Sequence, residues 1–205
     1  MSSKSPTAGI ILAAGASVRF GQPKQLVELR EKYLLEWVLD AALDSRLDAV
    51  VLVLGHQYHA IQQALGGKAA RPGLQVVINR DYRKGQSTSL KTGLTYVRRN
   101  FSSVMYLLAD QPMITSKTIN LLLDRFDASD KSICVPARQG RRGNPTLFRR
   151  PVYDEIMMID GDTGARNLTE KYRECVLFVE VDDPLCFVDI DSPGDLEALS
   201  ERLPD

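Results

Sequence analysis

Gly9-Ile-Ile-Leu-Ala-Ala-Gly-Ala-Ser-Val-Arg-Phe-Gly-Gln-Pro-Lys-Gln-Leu26 begins as a buried strand and ends as a polar loop. Ile10, Ile11 and Leu12 form the apolar run. Ala13, Ala14 and Gly15 are small enough to let a ligand approach the backbone closely. Ser17, Arg19 and Lys24 then place a hydroxyl and two cations along the loop. Free amides and fixed positive charge at a strand-to-loop junction hold anions well. The segment reads as a grip for a polyphosphate. Arg brings a bidentate fork and Lys a point charge. It matches neither a GxGxxG dinucleotide turn nor a Walker A loop.

Outward from this segment, strand and helix signals alternate. Expected strands are 10–13, 49–54, 75–78, 103–108, 132–135, 146–148 and 176–180. Expected helices are 34–44, 58–65, 87–99, 116–126, 151–158, 164–171 and 193–202. Ala49–Leu54 is continuously apolar, as in a strand covered on both faces. Such alternation predicts an α/β fold, a mainly parallel sheet with helices on both sides. No linker or repeat divides the chain, so one domain over 1–205 is expected, with 1–7 a flexible tail. Ligands of open α/β sheets sit beyond the carboxyl ends of the strands. That singles out loops 13–25, 79–87, 109–113 and 136–145.

The chain has 205 residues, 44% hydrophobic and 25% charged, and 26 Lys plus Arg balance 26 Asp plus Glu. This balance favours neither nucleic acid nor a membrane surface. The apolar runs fall far short of the roughly 20 residues a bilayer needs. The polar start lacks a signal-peptide core. Cys134, Cys175 and Cys186 form no CxxC pair, which suits free thiols in a reducing cytoplasm.

Asp110 follows directly on an apolar strand, where a carboxylate is costly unless paired or bound to a cation. It reads as a Mg²⁺ ligand or, more plainly, as a turn or cap residue. Asp189 and Asp191 alternate around Ile190 and are expected on one side of an extended segment. Asp191 would then be a second metal carboxylate, unless Asp-Ser-Pro merely opens a helix. Asn79, Gly85, Gln86, Ser87 and Ser89 offer turn freedom and uncharged hydrogen-bonding groups suited to a base or ribose. The competing view is a helix capped by Ser87. Arg141-Arg142-Gly143-Asn144-Pro145 and Gly161-Asp162-Thr163-Gly164-Ala165-Arg166 are two further polar turns that could meet a second substrate.

These motifs together resemble the molybdenum cofactor cytidylyltransferase branch of the MobA-like nucleotidyltransferases, over about Ala8 to Leu199. The elements are Leu-Ala-Ala-Gly-Ala-Ser-x-Arg-Phe-Gly-x-Pro-Lys-Gln-Leu, Gly-Gln-Ser-x-Ser-Leu, Leu-Ala-Asp-Gln-Pro, Arg-Gly-Asn-Pro, Gly-Asp-x-Gly-Ala-Arg and Asp-Ile-Asp-Ser-Pro-x-Asp, in that order. The resemblance implies a Rossmann-like, nucleotide-diphospho-sugar transferase-like fold and a need for Mg²⁺. It implies transfer of CMP from CTP to the phosphate of a pterin acceptor with release of pyrophosphate, and a molybdoenzyme that receives the product. Leu12, Ala13, Ala14, Gly15, Ser17, Arg19 and Lys24 would hold the nucleotide, and Asp110 and Asp191 the metal. Arg142, Gly143, Asn144, Asp162 and Arg166 would face the acceptor. Ala14, where guanylyl-transferring relatives carry Gly, points to cytosine. At Leu29-Arg30-Glu31-Lys32-Tyr33, relatives carry a Gly-rich turn before a Pro, so a reshaped turn is expected here. Two alternatives remain at this point: transfer to a sugar-1-phosphate or methylerythritol phosphate, and a binding protein that delivers cofactor without chemistry.

Overall fold

The computed structural model describes residues 5–16 and 20–203. In chain order it contains β1 (Thr7–Ala13), β2 (Glu28–Leu29), β3 (Lys32–Tyr33), α1 (Leu34–Leu43), β4 (Ala49–Leu54), α2 (Tyr58–Leu65), β5 (Leu74–Ile78) and α3 (Gln86–Val97). There follow β6 (Ser103–Leu108), α4 (Ser116–Asp127), β7 (Ile133–Arg138), β8 (Arg141–Arg142), β9 (Thr146–Arg149), α5 (Tyr153–Met158), α6 (Arg166–Lys171), β10 (Val176–Glu180) and α7 (Pro193–Arg202).

One sheet runs β10-β7-β9-β6-β1-β4-β5, with β8 paired to β7. The pairs of β1 with β4 and β6, of β4 with β5, and of β7 with β10 are parallel. β9 runs against both β6 and β7. The fold is therefore the mixed α/β, mostly parallel architecture expected. β1 lies between β4 and β6, so strand order reverses there. In such sheets the crevice for a ligand opens at that point, beyond the strand ends. Leu12 pairs with Leu108, so β1 and β6 release their following loops side by side.

Both faces of the sheet are dry. Ile11, Leu52, Leu54 and Leu107 pack on one side with Leu35, Val38 and Leu39 of α1, Ile61 of α2 and Ile119, Leu122 and Phe126 of α4. Ile10, Val51 and Val53 pack on the other with Leu90 and Leu94 of α3 and Ile156 of α5. Burial of this kind contributes on the order of 25 cal/mol per Å² of apolar surface. A smaller cluster joins Val27, Leu29 and Leu34 to Ile190 and Leu199, fastening α7 beside the first loop.

Some local expectations are corrected. Thr7 already belongs to β1, with its amide donating to Asp48 Oδ2 at 2.8 Å, so its share of the 1–7 tail is structured. Residues 1–4 lie outside the described residues. The reshaped turn is a two-residue hairpin between β2 and β3, with Arg30 at φ 52° and Glu31 at φ 61°. Such turns require left-handed residues and usually take Asn-Gly. The helix expected from Gly164 begins at Arg166, and the one expected from Pro151 begins, after a 3₁₀ turn, at Tyr153.

Candidate active site

Lys24 and Asp110 come from loops 86 residues apart in sequence and meet where β1 and β6 end. The Lys24 ammonium donates to Asp110 Oδ2 and to Asp191 Oδ1, each at 2.9 Å. Its side chain is only 17% exposed. Burial alone would depress its pKa. The charge of Asp110 and the hydrogen bonds to Asp110 and Asp191 outweigh that, so the ammonium is held above the ordinary lysine range. Asp110 Oδ1 is buried and, among the described residues, has no hydrogen-bond partner.

The local folding explains why both carboxylates face the lysine. Asp110 does not cap α4; Thr115 does, accepting from Thr118 N at 3.1 Å. Asp191 does not cap α7 either. Ser192 and Asp195 form the capping box, and Asp195 Oδ2 accepts from the amides of Asp191 and Ser192. The Ile190 amide donates to the Asp110 carbonyl at 2.9 Å, tying the two acidic segments together. Gln25, buried beside Lys24, donates to the carbonyls of Ala13 and Gly15 and pins the first loop.

Two adjoining cavities flank this point. The first, about 930 Å³, is lined by Leu12, Ala13, Ala14, Gly15, Lys24, Gly85, Gln86, Ser89, Asp110, Asp162 and Asp191, joined by Phe20, Gln25, Tyr82 and Arg83. The second, about 560 Å³, is lined by Arg141, Arg142, Gly143, Asn144 and Arg166, with Gln111 and Asp189. Leu12, Gln86 and Leu108 border both. Neighbours in sequence thus divide: Asp110 and Asp191 face the first cavity, Gln111 and Asp189 the second.

The wall between them is the 161–166 turn docked on the start of α3. Gly85 makes this possible. Its φ is +110°, and a Cβ there would sit 2.3 Å from the Gly161 carbonyl carbon. The Ser87 amide donates to the Gly161 carbonyl, and the Gln86 amide to Asp162 Oδ1 at 3.2 Å. An acidic group is well placed at a helix N-terminus. In the second cavity, Arg142 is held by Thr169 Oγ1 and Glu170 Oε1. Arg166 leans on the same Glu170 at 3.6 Å. Gly143 packs so tightly on the Phe187 ring that a Cβ would lie 2.5 Å from it.

Four expectations change here. Asp189 and Asp191 do not share a side: Asp189 turns to the second cavity, where Gln111 Nε2 donates to its Oδ1 at 2.7 Å. Burial raises the Asp189 carboxyl above the usual range more than the Gln111 hydrogen bond lowers it, and the charges of Asp110 and Asp191 add to the rise. Asn79 lines neither cavity; it is 3% exposed, and its amide nitrogen is spent on Thr88 and Ser89. Ser87 is fully buried one residue inside α3, behind the N-cap Gly85, with no partner for its hydroxyl among the described residues. Asp162, expected at the acceptor, lines the first cavity. Ser17 and Arg19 lie outside the described residues. The sequence reading missed Gln25, Tyr82, Arg83 and Gln111. Gln25 and Gln111 each follow a residue it had chosen, and that adjacency was the available signal.

A crevice of this fold with an ammonium between two acidic groups, opening on two cavities, is the layout of a nucleotidyltransferase. Residues 9–176 match the MobA-like NTP transferase domain, and the chain belongs to that family. It is 29% identical over 201 residues to the purine catabolism protein PucB of Bacillus subtilis, covering 95% of this chain and 96% of that one. It is 28% identical to the nicotine blue oxidoreductase of Paenarthrobacter nicotinovorans, covering 90% and 91%. To the molybdenum cofactor cytidylyltransferase of Escherichia coli it is 24% identical, covering 94% and 95%. The manganese complex of Rv0371c from Mycobacterium tuberculosis superposes with a TM-score of 0.82 at 29% identity, covering 97% of this chain and 100% of that one.

Among the described residues, no three His, Cys, Asp or Glu side chains converge as a metal cluster. A cation here would have two carboxylates at most and would complete its shell with phosphate oxygens and water. That is the habit of Mg²⁺, and the unpartnered, buried Asp110 Oδ1 fits it. Three thiols are free, and Cys134 is buried with its pKa pushed up to about 12. Among the described residues, no helix is long and apolar enough to cross a membrane.

Proposed function

We propose that this protein transfers CMP from CTP to the phosphate of a pterin acceptor, the molybdenum cofactor, and releases pyrophosphate. The observation that carries this is the Lys24 ammonium shared by Asp110 and Asp191 in a cavity that adjoins a second, arginine-rimmed one. The name of the E. coli relative and the Gly-Asn-Pro and Gly-Asp-x-Gly-Ala-Arg elements support the acceptor. Ala14 on the wall of the first cavity supports cytosine.

In this reading the first cavity holds CTP and the second the acceptor. An oxygen of the acceptor phosphate forms a bond to the α-phosphorus, and the bond from that phosphorus to the β-phosphate oxygen breaks. A phosphate monoester has a second pKa near about 6 and attacks already ionised. No base is then required, and among the described residues lining the two cavities there is no His or Glu. Lys24 stabilises charge growing at the α-phosphate, while Ser17 and Arg19 hold the outgoing phosphates. Asp110 and Asp191 would hold Mg²⁺, which when bound neutralises phosphate charge and aligns the donor. Gly85, Gln86 and Ser89 contact the nucleoside, and Arg142, Gly143, Asn144 and Arg166 the acceptor.

The test is pyrophosphate release with CTP or GTP, with and without molybdenum cofactor. Acceptor-dependent release with CTP is expected. Release only with sugar-1-phosphate or methylerythritol phosphate, or CTP binding with no release, would contradict the reading.

A further inference from the structure

We infer that Asp189, held by Gln111 in the second cavity, recognises the acceptor by accepting hydrogen bonds from adjacent N–H donors on its planar ring. The inference rests on the acceptor reading above and assigns the residue that reads the ring. Among the described residues lining that cavity, Asp189 is the one carboxylate. It has no ion pair within 4 Å among them, and among the described residues no donor reaches its Oδ2. Its Oδ1 is fixed at 2.7 Å by the Gln111 amide, so the side chain keeps its orientation.

Asp191, two residues on, is spent on Lys24 and lines the first cavity, which separates the two roles. The rest of the second cavity suits a flat ring. Leu90, Tyr106 and Val135 supply an apolar wall. The Tyr106 hydroxyl donates to the Leu90 carbonyl at 3.1 Å, so it has no free donor to offer there. A fused 2-amino-4-oxo ring presents an amino group beside a ring N–H, a pair of donors that matches one carboxylate. An acceptor positioned for such donors disfavours rings that lack them.

The experiment uses the full-length protein, CTP with Mg²⁺, and a 2-amino-4-oxopterin bearing a phosphate monoester arm. Asp189→Asn keeps the size of the side chain and removes its charge. The expected result is a rise of roughly tenfold or more in acceptor KM, the scale of losing a hydrogen bond to a charged group. The KM for CTP, the kcat and the affinity for Mn²⁺ stay within about twofold. Independently of any variant, the wild-type protein loses a similar factor with an analogue methylated on both donor nitrogens, and Asp189→Asn loses no more with that analogue. An unchanged acceptor KM, or weakened Mn²⁺ binding in Asp189→Asn, overturns the inference and leaves the nucleotidyl transfer intact. No pyrophosphate release by the wild type with this pterin removes the acceptor reading, and the inference with it.

Discussion

The two cavities draw their acids from the same two short segments, 110–111 and 189–191, and differ in how those acids are balanced. In the first, Asp110 and Asp191 share the ammonium of Lys24. In the second, Asp189 makes no ion pair within 4 Å among the described residues and accepts from the neutral amide of Gln111. A carboxylate pair around one cation is arranged to exchange or share that cation with phosphates. A carboxylate oriented by an amide is left to accept from a ligand's own donors. In the proposed reading, the separation of Asp110 from Gln111 and of Asp189 from Asp191 serves two chemistries within a few residues of chain.

The largest effect should come from the first cavity. Lys24→Ala and Asp110→Ala should each lower kcat by about a hundredfold or more, the scale of removing one group that stabilises transition-state charge. Near-normal turnover in purified, folded variants would dissolve the contrast between the cavities. Gly85→Ala strikes the wall between them. With φ at +110° and Gly161 in the way, the 161–166 turn must move. The expected cost is about 2 kcal/mol or more, seen as a lower Tm together with a raised KM for both substrates. A rise in only one KM would show that the wall serves one cavity alone.

Arg142→Ala should act on the second cavity only. It releases Thr169 and Glu170 and should raise acceptor KM by roughly threefold to tenfold, about 1 kcal/mol, with the CTP KM unmoved. The smallest change is a control remote from both cavities. Glu31→Gly relieves a left-handed residue in the β2–β3 turn. It should stabilise the protein by about 1 kcal/mol, or about 2–4 °C in Tm, and leave both KM values alone.

What the sequence reveals follows from range. Strands such as Ala49–Leu54 and helices such as Leu34–Leu43 announce themselves through local apolar pattern, and the crevice follows from their alternation. Lys24 and Asp110 were legible because a cation in a glycine-bearing loop and an acid at a strand end are unusual locally. Asn79 and Ser87 misled for the same reason. Polar residues at a strand-to-helix junction look alike whether they meet a ligand or each other, and the partner that decides, Gly161, lies 74 residues beyond Ser87. The Arg30-Glu31 turn hid because neither residue carries the usual hairpin signal. The split of Asp189 from Asp191 depends on partners far along the chain, Gln111 for Asp189 and Lys24 for Asp191, which alternation along a straight strand does not foresee.

The most direct test of the division between the cavities is a Mn²⁺ titration in the presence of CTP, comparing wild type with Asp110→Ala and Asp189→Asn. The account predicts that Asp110→Ala weakens Mn²⁺ binding by at least about tenfold, the loss of one charged ligand, while Asp189→Asn binds as wild type does. Equal weakening in the two variants, or none in Asp110→Ala, would contradict it.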